Sequence, residues 1–422
     1  MAFLILVTSI NYIQMKHHRY IIIGFFLVLG CASSTPKKIA FENPVDTTTK
    51  PITEKESKLY HNKQLGVYAT NDFPGGKLDG FTYYNDSTST ANIVPENTPI
   101  NDSPYYSFKL WSNQPIETYI KLTYPKKNKH RYFPKIKTGN QPWQPLDSNN
   151  VIVIGKDIFL KTSITKDSIW ISAQEVISSQ DTYAWAKKIV EKHSAVSHYY
   201  SIGKTPLGRD LPVIDMYSGD TKNKPIIVLL TRQHPPEVTG FMAFKTFIET
   251  ILSETTFLDQ YRVLAFPIMN PDGVDLGHWR HNSGGVDLNR DWATYQQTEI
   301  KQVVTYINKT VKKNNSEIHI GLDFHSTWND VFYTNIEEYK TRLPNFKNQW
   351  LASLEKEIPE YKVNEKPSIS KKPVSKAWFL KAHHATGITY EIGDETDRQR
   401  IKEIASTSAI QLIKILEQNK TP

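Results

Sequence analysis

Two histidines and a glutamate stand where they could hold a divalent metal: His234 and Glu237 in HPPE, and His325 in DFHS. Two His and one carboxylate make a three-ligand zinc site, one zinc per chain, which leaves a coordination position open for water. Near them in sequence lie Arg280 in GHWRHN, Asn289 and Arg290 in GVDLNRDW, and, further on, Glu391 in TYEIG. Glu391 is a candidate general base. The arginines are the residue type that an anionic substrate and a developing oxyanion require. The set reads as metal-assisted amide hydrolysis. Taken singly, HxxE is a common surface pair, a strand histidine is an ordinary core residue, and a strand-end glutamate is unremarkable. The weight comes from their order, each close to the end of an apolar run.

Those runs are the elements that must position the chemistry. IIVLL (226–230) is continuously apolar, as a parallel strand covered on both faces should be. RVLAFPIM (262–269), HIGLDF (319–324) and GITYEI (387–392) are further strand candidates, with helical stretches at 237–254, 295–314, 343–357 and 398–418. This alternation predicts an α/β fold: a mixed, largely parallel sheet flanked by helices. His234 and Glu237 follow the first run, His325 follows the third, and Glu391 lies in the fourth. Ligands of open α/β sheets gather at the carboxyl ends of strands, so the residues can converge. Pro235 and Pro236 favour a turn opening into a helix, whose first turn would place His234 and Glu237 on one face.

Upstream, residues 65–176 carry short Tyr-, Ile-, Val- and Thr-rich segments separated by turn residues, among them YYSFKLW, ETYIKLTY and SIWISA. They predict a β-sandwich domain preceding the α/β part. A connecting helix is expected within 177–198, from about Thr182 with Asp181 as its N-cap. Residues 32–64 lack apolar periodicity and predict a flexible tether, with a reach of roughly 30 Å.

The balance of 51 basic against 43 acidic residues gives a net charge of +8 over 422 residues, and no basic patch interleaved with aromatics marks a nucleic-acid partner. Cys31 is the single cysteine, which excludes an intramolecular disulfide. Lys16, His17, His18 and Arg19 precede an apolar run ending Val28-Leu29-Gly30-Cys31. That describes an export signal over 1–31, with Met15 as the plausible start. Its ending resembles a bacterial lipobox, which implies lipidation at Cys31 and membrane anchoring in the periplasm or cell envelope.

HPPE, NPDG (270–273), HWR, GVDLNR, the later histidine and the TYE glutamate together resemble the zinc metallocarboxypeptidases of the carboxypeptidase A-like family. The segment SIGKTPLGRDLPV (201–213) is similar to the start of that family's catalytic domain, here 199–420. HRYFPK (130–135) and GNQPWQPL (139–146) look like the N-terminal domain of cytosolic carboxypeptidase-like members. The resemblance implies zinc on His234, Glu237 and His325, with Glu391 as base and then acid, and Arg280 on the oxyanion. It further implies that Asn289 and Arg290 hold the substrate's terminal carboxylate and that Asp287 orients His234. Lys376 falls at the family's side-chain specificity position and would favour an acidic terminal residue. The family's mobile tyrosine is missing from 366–379; Tyr361 is the nearest upstream. The substrate is expected to be a peptide or a peptidoglycan-derived fragment. Competing readings are a peptidoglycan-peptide amidase, an N-acyl amino acid deacylase on the same zinc core, and a non-catalytic binding lipoprotein.

Overall fold

The computed structural model describes residues 36–336 and 340–418. Cys31 and the export signal expected over 1–31 lie outside the described residues. Among the described residues no helix is long and apolar enough to cross a membrane.

A mixed eight-stranded sheet carries the chemistry. Its order is Ser197–Lys204, Asp210–Met216, Arg262–Phe266, Ile226–Thr231, Ile318–Thr327, Thr386–Gly393, Val331–Asn335, Glu365–Ser368. The four strands from Arg262–Phe266 to Thr386–Gly393 are parallel. Antiparallel pairings flank them on both sides, and the last two strands pair in parallel. The expected α/β architecture with a mixed sheet is therefore observed.

Ile226–Thr231 is buried along its whole length because helices cover both faces of the sheet. Ile227 and Leu229 pack with Phe241, Phe244 and Phe247 of the helix Val238–Ser253 on one face. Val228 and Leu230 pack with Val303, Val304 and Ile307 of the helix Thr298–Asn314 on the other. Gly240 lets the first of these helices approach closely: a Cβ there would lie 2.3 Å from the carbonyl oxygen of His325. Only glycine fits at that crossing.

Two further sheets precede this one. The first runs Leu59–Asn62, Val67–Thr70, Ser107–Ser112, Ile169–Ser172, Lys135–Thr138, Gln144–Pro145, and the second Gly80–Asn85, Thr88–Asn92, Ile116–Thr123, Asp157–Ile164, Val151–Ile154. Burial alternates along Ile116–Thr123 and Asp157–Ile164, as in strands with one face turned inward. Phe108 and Leu110 of the first sheet share one apolar cluster with Ile120 and Leu160 of the second.

Two expectations need correction. Residues 36–64 are not a free tether. Ile39 N donates to Ala293 O at 3.0 Å, Lys50 N to Gly284 O at 2.8 Å and Thr53 N to Glu96 O at 2.7 Å, and Leu59–Asn62 is an edge strand. Backbone hydrogen bonds hold the segment, and these leave no apolar periodicity to read. The connecting helix begins at Ser179 and is capped by Ser178, with Asp181 closing a capping box from inside the first turn.

Candidate active site

The metal candidates come together at strand ends, as the sheet rule requires. His234 and Glu237 sit in the turn between Ile226–Thr231 and the helix Val238–Ser253, where Glu237 occupies the N-cap position without making a capping bond. The pair is thus set by a tight turn and not, as expected, by a shared helical face. Glu237 N bonds to His234 O at 3.3 Å, and Glu237 Oε1 lies 2.8 Å from His234 Nδ1. Glu237 Oε2 lies 2.6 Å from His325 Nδ1, and the two Nδ1 atoms are 3.2 Å apart. One ligand atom from each of the three buried residues falls within 4.8 Å of the others.

Both histidines present Nδ1 inward and are held from behind. His234 Nε2 meets Asp287 Oδ1 at 2.9 Å, and His325 Nε2 meets Asp323 Oδ2 at 2.8 Å. A carboxylate on the far ring nitrogen fixes tautomer and orientation, the usual support for a metal-bound imidazole. Asp323 is itself held by Gln233 Nε2 at 2.5 Å and by the Ser375 hydroxyl. Burial works against charge on His325, yet Asp323 and Glu237 hold its pKa well above the ordinary value. A metal entering among these donors replaces a proton. The donor set and its backing carboxylates fit a divalent cation.

Glu391 stands opposite His325 in the parallel register of Ile318–Thr327 and Thr386–Gly393. Its Oε2 is buried without a hydrogen-bond partner among the described residues. Burial, and after it Glu237, push its carboxyl up to about 8, against the pull of His325, Arg280 and Arg131.

Arg280 is aimed at the same point. Its Nε donates to Asp287 Oδ2 at 2.8 Å, and Nη1 lies 4.0 Å from Glu237 Oε1. Asp287 therefore braces a candidate ligand and a candidate oxyanion donor at once. Arg290 Nη1 donates to Asn289 O at 2.7 Å and is 3.8 Å from Asp287 Oδ2. Asn289 Oδ1 accepts from Ser375 N at 2.9 Å, and its Nδ2 is 3.4 Å from His325 Nε2.

Lys376 is not joined to this cluster. It is buried on the following helix, Ser375–His383, and donates to Thr334 O at 3.0 Å, Asn335 Oδ1 at 3.2 Å and Ser368 Oγ at 3.1 Å. All three acceptors are neutral, and burial pushes its pKa down to about 8. Tyr361 is 7% exposed within the main core, so it is no substitute for a mobile tyrosine.

A family model described as zinc carboxypeptidase matches residues 182–407, which takes in every residue of this cluster. The chain belongs to the zinc carboxypeptidase family. Human cytosolic carboxypeptidase 2 is 32% identical over 117 residues, covering 26% of this chain and 13% of that protein. Human cytosolic carboxypeptidase 6 is 24% identical over 239 residues, 50% of this chain and 46% of that one. The chain thus spans less than half the length of these curated relatives. Among solved structures, a metallo-carboxypeptidase from Burkholderia cenocepacia superposes with a TM-score of 0.70 at 13% identity, covering 84% of this chain and all 100% of that one. One from Pseudomonas aeruginosa, in complex with (2-guanidinoethylmercapto)succinic acid, gives 0.65 at 15% identity, covering 83% and 99%. The family fold is shared, and family membership implies zinc as the metal.

Three contributors were not foreseen from the sequence: Asp323, Glu96 and Arg131. Asp323 had a signal, since it lies two residues before His325 on one strand and so shares its face. Glu96 and Arg131 come from loops that connect strands of the two upstream sheets. Glu96 accepts backbone N–H bonds from residues 279–281. Arg131 pairs with Asp394 at 2.8 Å and donates to Ser326 O at 3.1 Å. No local pattern could have linked them to the site.

Proposed function

We propose that this member of the zinc carboxypeptidase family is a metallocarboxypeptidase that holds one zinc per chain on His234, Glu237 and His325 and releases the C-terminal residue of a peptide. The observation that carries the reading is Glu391: a half-buried glutamate whose Oε2 is buried and without a partner among the described residues, in register with the candidate ligand His325. When bound, zinc supplies Lewis-acid polarisation of the scissile carbonyl and lowers the pKa of water.

The chain's own groups do the rest. Glu391 takes a proton from the attacking water on its carboxylate and returns it to the leaving amine, so one residue serves as base and then acid. Arg280 donates to the oxygen on which negative charge develops. Arg290, whose guanidinium is partly exposed, and Asn289 receive the terminal carboxylate. Lys376 takes an acidic terminal side chain by exchanging a neutral acceptor for a charged one, which charge favours. The stretch 366–379 contains no tyrosine to assist Arg290 and Asn289 on the terminal carboxylate, which loosens the restriction to chain ends.

Two further assignments complete the reading. The two upstream sheets form a β-sandwich domain that begins at the strand Leu59–Asn62, ahead of the expected residue 65, and runs to about residue 176, and Cys31 is the lipidated residue of an exported, membrane-anchored protein. Accumulation of precursor under globomycin tests the anchor; its failure to accumulate would remove that assignment.

Zinc-loaded protein incubated with a C-terminally varied peptide library, read by mass spectrometry, tests the activity. The expected result is loss of single C-terminal residues, fastest for Glu and Asp. Lys376→Glu should shift kcat/KM away from peptides ending in Glu. Cleavage of N-acyl amino acids or muropeptides with the library intact would overturn the carboxypeptidase reading.

A further inference from the structure

We propose that Glu96 is a positioning residue for the oxyanion arginine: from the loop between the upstream strands Thr88–Asn92 and Ser107–Ser112 it grips the backbone at 279–281 and so fixes Arg280 before substrate arrives. The proposal rests on the role given to Arg280 above.

Glu96 is fully buried, and three consecutive peptide N–H groups converge on its carboxylate. Trp279 N donates to Oε2 at 2.8 Å, while Arg280 N and His281 N donate to Oε1 at 3.0 and 2.6 Å. Backbone N–H groups in succession make an anion cradle, and here the anion is a side chain of the protein itself. Burial opposes its charge; facing His278 and the N–H donors of His281 and Trp279 outweigh it and hold the carboxyl below its usual range. Asn97 extends the grip. Its Oδ1 meets His281 Nδ1 at 2.6 Å, and its Nδ2 donates to Gly285 O at 3.0 Å. Gly285, at φ +68°, permits this, since a Cβ there would lie 2.6 Å from Asn97 Nδ2.

The Trp279 indole closes the clamp. It is fully buried in the apolar cluster of the upstream sheets, edge-on to Tyr124 at 6.5 Å. The loop is therefore anchored through both its backbone and its Trp279 side chain. Arg280 is fixed at both ends, its backbone by Glu96 and its guanidinium by Asp287. A long side chain so held has lost its rotamer freedom before the reaction, which is what electrostatic preorganisation requires. Only a carboxylate serves here. A glutamine offers one acceptor oxygen and turns an NH2 group against a peptide N–H.

The test uses the full-length, zinc-loaded protein and a blocked dipeptide ending in glutamate. Glu96→Gln should speed amide exchange in the peptide spanning 278–283 and leave the strand around His325 protected. It should lower kcat by about 10- to 100-fold, as a displacement near 1 Å does, while KM stays nearly constant. Arg280→Lys should lower kcat too, and the double variant should be no slower than Arg280→Lys alone, because both changes act through one group. Glu96→Asp, which keeps the charge with a shorter reach, should recover part of the rate and stands in if the glutamine variant fails to fold. Additive losses in the double variant, or a lowered Tm with kcat unchanged, would overturn the proposal. Wild-type activity in Arg280→Lys would instead overturn the role of Arg280. If the wild-type protein leaves the dipeptide intact, the functional reading falls, and the exchange measurement alone decides whether Glu96 holds the loop.

Discussion

Replacing Asp287 separates the two groups it braces. Its Oδ1 accepts from His234 Nε2 at 2.9 Å and from Asn289 N at 2.9 Å, while Oδ2 accepts from Arg280 Nε at 2.8 Å. Burial would raise its pKa, yet Arg280 and His234 hold it well below the ordinary value. Asparagine supplies one acceptor oxygen in place of two. Turned towards His234 and Asn289 it keeps two bonds and sacrifices one, so that orientation wins. The NH2 group then faces Arg280, and the guanidinium loses a charged hydrogen bond worth about 1.5–3 kcal/mol. Asp287→Asn should therefore retain most zinc affinity and lose kcat by about 10- to 100-fold. Asp287→Ala removes both supports. Loss of the carboxylate behind a ligand histidine costs about 10- to 100-fold in metal affinity, or about 1.4–2.8 kcal/mol. Zinc competition with a chromophoric chelator gives the affinities, and assays at saturating zinc give kcat. Wild-type zinc affinity in the alanine variant, or a larger affinity loss in the asparagine variant, would refute this account of Asp287.

Glu391→Gln should keep zinc and lower kcat by at least about 100-fold; substantial turnover in that variant would remove Glu391 as the base. Glu299 is buried, and burial pushes its pKa from 4.5 to about 7, with Asn282 Nδ2 pulling against it. A carboxyl raised on folding gives stability that is complete below about 4.5 and lost as pH climbs through about 7, up to about 3 kcal/mol in all. Glu299→Gln should flatten the denaturant-measured stability across that window, and an unaltered pH profile would contradict the assignment. Arg131→Met leaves Asp394 buried and unpaired, with a loss of about 3–5 kcal/mol expected in urea unfolding. A loss below about 1 kcal/mol would show that the pair carries little.

Much of the site was legible because its chemistry needs particular residue types at strand ends. The structure brings His234, Glu237 and His325 within ligand distance of one another, sets Glu391 beside His325, and joins Arg280 and His234 through Asp287. The central strand and the helix Arg398–Gln418 were legible because full burial and 3.6-residue periodicity leave strong patterns. Edge strands were not: Ser197–Lys204 is buried only at its first residue and shows no alternation of buried and exposed positions, so no period of two marks it. The segment from residue 36 to 58 misled for a similar reason, since its order comes from backbone bonds to distant loops. Lys376 was placed by counting along the chain. Counting gives position but not surroundings, and its three neutral acceptors had to be seen.

The burial of Trp279 among the upstream strands has a consequence for how the protein folds. The matched segment, 182–407, lends a tryptophan to a core it does not own and borrows Glu96 and Arg131 in return. Arg131 and Asp394 are 263 residues apart along the chain, and Thr47 and Asp291 are 244 apart. Such loops close late and at high entropic cost, so folding should be slow, and the last pieces to lock should be those framing the candidate metal site. Excising 182–407 would strip the cover from Trp279 and leave a sticky surface in place of a smaller enzyme.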